Sequence, residues 1–463
     1  MIGFYYLTEK DEFEYDVRGL LGSFFPGREL VRLPGMPADD EKDGFAYLLA
    51  VPDFSVISDR TERKNHIKRS LYRQLAEHTG RELPWGTLTG IRPVKRAMKY
   101  EDMDGGMEKM RQEYLVSDEK LQLAFAIARK EKSILRAIDA QGGYSLYIGI
   151  PFCTTTCLYC SFTSSPMGLW LPRMHEYLQT VFRELDAVKE MFGERCPDTI
   201  YIGGGTPTSL SPEGLEAVLS KLADTFDLTK PAEFTVEAGR PDSITPEKLR
   251  VLRRYPVSRI SVNPQTMSDE TLRTIGRRHS VAQFVSAYEL ARDTGFDNIN
   301  MDIILGLPGE RAQDVARTME RLRPLAPDSL TVHAMAVKRA SRLKMEAEGA
   351  ARPELSQQET EEMMRLAQEG ARAMGLEPYY LYRQKNMAGN LENVGYARPG
   401  REGIYNILIM EEVQTIAALG AGTVSKAVFP DGLITRADNV KNVEQYMERI
   451  DEMIERKKGL FSK

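Results

Sequence analysis

The chain has 463 residues, 42% of them hydrophobic and 28% charged, with a formal net charge of −5. That length calls for two or three domains. The composition excludes long disorder, and the mild acidity leaves no whole-chain footprint for nucleic acid or anionic membrane.

The opening "MIGFYYLTEKDEFEYD" lacks a basic start, a long apolar run and a small-residue cleavage site, so no signal peptide is expected. No apolar run reaches membrane-spanning length; "FAYLLAV" at 45–51 reads as a buried strand. Four cysteines in a chain of this size do not make a disulfide framework. A reducing, cytoplasmic setting is expected, with the thiols kept for metal or redox chemistry.

In chain order, "IGFYYL" reads as a strand and "EFEYDVRGLLGSFF" as an amphipathic helix. "ELVRL" and "FAYLLAV" read as strands, and "RTERKNHIKRSLYRQLAEHTG" as a basic helix ending at Gly80. A connector helix, "SDEKLQLAFAIARKEKSILRAID", starts at Ser117 as N-cap. Residues 1–140 are expected to form a small α+β domain with this helical connector.

From Tyr144 the pattern changes. "YSLYIGI", "TIYIGG", "EFTVEA", "RISVNP", "NINMDII" and "SLTVHAM" read as strands, each followed by a helical stretch. Six such units predict a parallel sheet curled into a partial (β/α)6 barrel over 141–350. Chemistry in barrels of this type sits at the C-terminal ends of the strands. Residues 351–463 read as an α+β extension closing the barrel mouth.

Directly after the first barrel strand comes "GIPFCTTTCLYCSF", which holds Cys153, Cys157 and Cys160. Structural zinc needs four ligands, and the fourth would have to be His175 or Cys196. Thiols buried simply as core are a second use. A [4Fe–4S] cluster is a third, and three thiolates on it leave one iron open to a ligand. "GGGTPT", ending the second strand, is either a tight βα turn or a place where backbone approaches a ligand closely. It is not G-x-G-x-x-G, and no P-loop lysine follows.

C-x3-C-x-aromatic-C after a barrel strand resembles the radical S-adenosylmethionine (SAM) superfamily. The resemblance implies that the open iron chelates the amino and carboxylate groups of SAM, and that the reduced cluster releases a 5′-deoxyadenosyl radical. It also implies that Gly204, Gly205 and Thr206 hold the SAM amino group. "YIGIPFC", "GGGTPT", "VEAGRPDSIT", "ISVNPQTMSDETLRTIGRRH", "NMDIILGLPGE" and "YARPGREGIYN" together resemble the oxygen-independent coproporphyrinogen III oxidase family, and most closely its HemZ branch. "LTGIRPVKRAM" extends that resemblance to the N-terminal part.

By motif position, the resemblance implies Tyr147 beside the cluster-bound SAM and Glu237 on its ribose. Tyr159, Gln265, Arg277, Asp302 and Ala336 match positions lining a second SAM site. Tyr147, Glu237 and Arg277 are thereby the candidate catalytic residues. Glu237 and Asp302 could instead cap the next helix, but their strand-end positions favour the site. Basic clusters at Arg92, Lys95 and Arg96, at Arg277, Arg278 and His279, at Lys338, Arg339 and Arg342, and at Arg383 with Lys385 have the charge to meet propionates. Any single one is as readily a solvated face.

Three departures stand out. Gly149 replaces a histidine common in the family, "SFTSS" lacks the oxidase's further cysteine, and "YNILIM" lacks the H-N-x-x-Y-W of the heme-chaperone relatives. The implied activity is oxidative decarboxylation of coproporphyrinogen III propionates to vinyl groups. The implied partners are a tetrapyrrole and an electron donor such as flavodoxin or ferredoxin. The rivals are a heme carrier, and a radical SAM enzyme acting on another tetrapyrrole or an RNA base.

Overall fold

The structure, a computed structural model, describes residues 1–8, 12–39, 42–90, 92–160, 164–335, 355–383 and 391–462. Strands β1 (Ile2–Tyr6), β2 (Leu30–Arg32) and β3 (Tyr47–Val51) form a parallel sheet in the order β2-β1-β3. The helices Glu14–Phe24 and Arg60–Thr79 lay Val17, Leu20, Leu21, Ile67, Leu71 and Leu75 into its core. Asp59 caps the second helix by accepting from the Glu62 amide at 2.7 Å. Gly80, at φ 64°, ends it where a Cβ would be strained.

This small core runs as far as Leu83. From Trp85 onward the chain packs mainly elsewhere, although Leu115 returns to the small core. The helices Pro93–Glu101, Gly106–Tyr114 and Asp118–Leu135 share one large apolar core with the barrel. Ser117 caps the last of them, accepting from the Lys120 amide at 3.4 Å.

The remaining strands are β4 (Tyr144–Ile150), the short pair β5 (Phe152–Cys153) and β6 (Ser165–Pro166), β7 (Thr199–Gly204), β8 (Glu233–Glu237), β9 (Arg259–Ser261), β10 (Ile299–Leu305), β11 (Ser329–Ala334), β12 (Glu377–Tyr382), β13 (Asn393–Ala397), β14 (Thr415–Leu419), β15 (Val424–Val428) and β16 (Ile434–Asp438). Apart from β5 and β6 they form one eleven-stranded sheet, β12-β13-β11-β10-β9-β8-β7-β4-β14-β15-β16. The six strands expected for the barrel lie side by side in chain order, all parallel. The C-terminal part adds to both edges: β14 runs parallel to β4, and β13 antiparallel to β11. Among the described residues β12 and β16 do not pair with each other, so the sheet is a partial barrel.

The two faces of this sheet differ. Leu146, Ile148, Ile200, Ile202, Phe234, Val236, Met301, Ile303, Leu330 and Val332 belong to the large apolar core. Their alternate neighbours are polar: Ser145 and Tyr147, Thr199 and Tyr201, Glu233, Thr235 and Glu237, Asn300 and Asp302, Ser329, Thr331 and His333. The register aligns them, with Tyr147 opposite Tyr201, Tyr201 opposite Thr235 and Thr235 opposite Arg259. Arg259 Nη2 reaches past β10 to Ser329 Oγ at 3.0 Å, which makes this the concave face.

Buried polar groups are costly unless bonded. The lower half of the lumen answers that cost with a chain of side-chain bonds, although Arg259 Nε is left without a partner. Thr199 donates to Ser145 Oγ (2.8 Å), Ser145 to Gln414 Oε1 (2.6 Å) and Thr235 to Glu233 Oε1 (2.8 Å).

Candidate active site at the strand C-termini

The cysteine loop leaves β4 at the C-terminal rim, as the chain order requires. Cys153 and Cys157 are buried, Cys160 is partly exposed, and all are free thiols. The loop is bonded within itself and pinned from two sides. The Leu158 amide donates to Ile275 O at 3.1 Å, and the Cys160 amide to Cys157 O at 3.2 Å. Arg240, buried, donates to Thr155 O at 3.0 Å and to Cys157 Sγ at 3.5 Å, and is itself held by Asp242 at 2.8 Å.

Among the described residues no three Cys, His, Asp or Glu side chains gather tightly enough for a single ion. A cluster asks for a wider triangle, because each thiolate binds its own iron. Cys196 precedes β7 and so lies towards the opposite rim, and His175 is exposed on its helix. The donor set thus fits a three-thiolate cluster better than tetrahedral zinc.

The glycine turn abuts this loop. The Gly205 and Thr206 amides donate to Ile150 O and Phe152 O, both at 2.8 Å, and Thr206 Oγ1 lies 3.4 Å from Cys153 Sγ. A Cβ on Gly205 would come within 2.7 Å of Phe152 O. Gly204 has φ 110°, and a Cβ there would meet the Ile150 backbone at 3.1 Å. These two glycines are therefore required by the seam between turn and cysteine loop, whatever ligand lies beyond. Gly203 is the one facing the lumen: its Cβ would meet Tyr201 at 2.8 Å and Glu237 at 3.0 Å.

At the upper lumen the rings of Tyr147, Tyr201 and Tyr405 stack, with centroids 6.0 Å apart for the two pairs with Tyr147 and 4.6 Å for Tyr201 and Tyr405. Tyr201 OH donates to Glu237 Oε1 at 2.6 Å. Burial pushes the Glu237 carboxyl up to about 7, against the Tyr201 hydrogen bond and with help from the charge of Asp302. Asp302 goes the other way. Burial opposes its ionisation, but His333 and Asn300 outweigh it and hold the carboxyl below its ordinary range. Asn263 Nδ2 (2.8 Å) and Asn300 Nδ2 (2.7 Å) donate to it, and His333 Nε2 stands 3.9 Å away.

Gln265 bridges β9 to β10 through its backbone, its amide donating to Asp302 O at 2.9 Å, with φ at 65°. A non-glycine residue held there is strained, which is common where a site over-determines the backbone. Arg277 is buried, donating to Tyr159 OH at 3.1 Å and Gly239 O at 3.3 Å, while its Nε has no partner. That orphaned donor is what an incoming carboxylate would satisfy.

Tyr147, Glu237, Gln265 and Asp302 thus line one rim, with Tyr159 and Arg277 beside the cysteine loop. Ala336 lies outside the described residues, as do Lys338, Arg339, Arg342 and Lys385. The other basic clusters do not converge on the lumen. Arg92 pairs with Glu412, Arg383 donates to Leu88 O, and Arg278 is exposed beside the outer surface of the cysteine loop.

Two features were missed at sequence level. Tyr201, Tyr405, Arg240, Asn263 and His333 complete the site. The signal for most of them was polar residues at every second position of strands that should be buried on both faces. Gly149 looked like a lost polar group. In the structure its place is filled, since a Cβ would lie 2.5 Å from Thr423 Cγ2, supplied by the C-terminal extension.

Residues 147–322 match the family model of the Radical SAM superfamily. The chain is 41% identical over 430 residues to the oxygen-independent coproporphyrinogen-III oxidase-like protein HemZ of Bacillus subtilis (strain 168), covering 89% of this chain and 84% of that protein. It is 32% identical over 316 residues to the heme chaperone HemW of the same organism, covering 66% of this chain and 76% of that one. The solved structure of coproporphyrinogen III oxidase (HemN) from Escherichia coli aligns with a TM-score of 0.55 at 22% identity, over 70% of this chain and 73% of the other. At that identity the likeness is one of fold.

Proposed function

Because the chain belongs to the oxygen-independent coproporphyrinogen III oxidase family of the radical SAM superfamily, in its HemZ branch, we propose that it is a cytoplasmic radical SAM enzyme of tetrapyrrole metabolism, converting propionate side chains of coproporphyrinogen III to vinyl groups. The observation that carries this is one rim holding both a three-thiol loop and a polar, tyrosine-lined lumen.

In this reading Cys153, Cys157 and Cys160 hold a [4Fe–4S] cluster whose open iron takes SAM. When bound, the pair supplies hydrogen-atom abstraction from an unactivated carbon. Gly204, Gly205 and Thr206 border the SAM pocket, with Gly203 beside them facing the lumen; Tyr147 packs beside the SAM, and Glu237 serves its ribose hydroxyls. Tyr159, Gln265, Arg277, Asp302 and Ala336 are assigned to a second SAM or to the substrate, with the free Nε of Arg277 as the carboxylate anchor. Removal of a hydrogen atom from the propionate, followed by loss of CO2 and one electron, leaves the vinyl group. We read 1–140, 141–350 and 351–463 as the functional parts; the packing of Thr423 against Gly149 supports the last as a closure of the rim.

The test is anaerobic incubation of reduced, reconstituted protein with SAM, an electron acceptor and coproporphyrinogen III. Stepwise mass loss of two carboxyl groups is expected. SAM cleavage without decarboxylation would move the substrate to another tetrapyrrole. The similarity to HemW favours a second reading, a heme carrier. Heme transfer without SAM turnover would establish that one instead.

A further inference from the structure

The cysteine loop has an outer side as well as an inner one. Thr154, Thr156 and Leu158 form one wall of an open groove of about 1080 Å³, and the exposed Arg273 and Arg278 line the other, beside the buried Arg277, whose guanidinium is bonded to Tyr159 OH and Gly239 O. Arg273 and Arg278 are exposed, and neither is in an ion pair with a described residue. Asp269, exposed, is among the described residues the one carboxylate lining the groove against these three arginines, and its Oδ1 accepts from the Val281 amide at 2.7 Å; Asp242 is paired with Arg240 at 2.8 Å. The groove is therefore a cationic patch on a chain whose net charge is −5.

Its wall is hydrogen-bonded in place and adjoins the thiols in sequence. Thr156 and Leu158 flank Cys157 in sequence, and the loop is bonded from behind by Ile275 O and Arg240. The lumen side of the loop faces the SAM and substrate positions, so an electron arriving by way of a protein needs the outer side.

We propose that this groove docks an acidic one-electron carrier protein, which reduces the cluster through residues 156–158. The proposal rests on the reading of the triad as a cluster site. One electron leaves the carrier's reduced flavin or iron–sulfur centre, which is oxidised, and reaches the cluster, which is reduced. No bond forms or breaks. Charge complementarity of this kind sets encounter rate and register more than deep affinity.

The test uses the reconstituted full chain, an acidic flavodoxin and the double variant Arg273→Glu with Arg278→Glu. Two readouts are taken across ionic strength: the Kd for flavodoxin, and SAM cleavage driven by either reduced flavodoxin or dithionite. At low salt the variant's Kd should rise, and its flavodoxin-driven cleavage fall, by roughly tenfold or more, as expected for reversed steering charges. Added salt should weaken the native pair and relieve the variant's repulsion, so that the two converge. Dithionite-driven cleavage should stay within about twofold, because a small reductant needs no docking surface. Unchanged flavodoxin binding and cleavage in the variant would overturn the proposal. Equal loss with both reductants would also overturn it, placing the two arginines in the fold of the loop. A native protein that holds no cluster would remove the reading of the triad, and this proposal with it.

Discussion

Ile202 and Tyr201 are neighbours in β7 and face opposite sides of one sheet. Ile202 enters the large apolar core, where removal from water is the whole of its contribution. Tyr201 enters the concave face, stacked on Tyr147 and Tyr405 and bonded to Glu237. The same alternation repeats along β4, β8, β10 and β11. The outer face therefore carries stability, and the inner face holds polar groups under tension. The difference also runs along the lumen. Its lower half is closed by Ser145, Thr199 and Gln414, whereas at the upper rim Glu237 titrates near neutrality and Arg277 keeps a donor unused.

The largest effect expected is all-or-none. Cys153→Ala, Cys157→Ala or Cys160→Ala should each abolish iron and sulfide uptake on anaerobic reconstitution, measured per chain. Cys196→Ala, towards the other rim, should leave uptake intact. Iron–sulfur absorbance surviving in a triad variant would break the assignment.

Next in size is the outer face. Ile202→Ala should cost about 2–5 kcal/mol in chemical denaturation, the usual range for a buried aliphatic deletion. The titration of Glu237 should not move, because that carboxyl lies across the sheet.

Glu237 itself gives a pH signature in the metal-free protein. Its folded pKa, about 7, lies above its ordinary value of 4.5, so the folded state holds this proton more tightly than the unfolded chain. Stability contributed by the proton is present at low pH and is lost as pH rises towards the folded pKa. Over pH 5 to 8 the native protein should lose about 3 kcal/mol relative to Glu237→Gln, judged from a shift of that size. Parallel stability curves for the two proteins would show that Glu237 is ionised throughout.

The smallest change is Tyr201→Phe. Losing one hydrogen bond should cost about 0.5–1.5 kcal/mol. The Glu237 pKa should rise further, since the Tyr201 hydroxyl is the largest of the groups that hold it down, ahead of the Gly204 amide and Arg259. A fall instead would mean that another donor replaces the hydroxyl.

Much of this was legible in the sequence. The six barrel strands form where alternating strand and helix signals put them, and the helix ends expected at Gly80 and Ser117 act locally, within one turn of helix. Placement of the cysteine loop at the functional rim followed from chain order alone, because a loop after a parallel strand must leave at its C-terminal end. Local propensity, periodicity and connectivity need no knowledge of distant partners.

Other features needed the folded molecule. Which glycine of "GGGTPT" faces the lumen depends on φ at Gly204 and on the approach of Phe152, neither visible in a run of three identical residues. The connector helices share the barrel core because Trp85 and its followers find apolar partners there, and apolar patterning does not name its partner. Thr423 fills the space beside Gly149 from the turn between β14 and β15, more than 270 positions away. Arg240 reaches Cys157 across 83 positions, and Tyr405 joins Tyr147 from the C-terminal extension. The sequence determined the elements, their order and the chemistry of the loop. Tertiary packing decided which polar groups meet in the lumen, and so which carboxyl is pushed towards neutral pH, because burial and charge proximity arise only when distant segments close around one another.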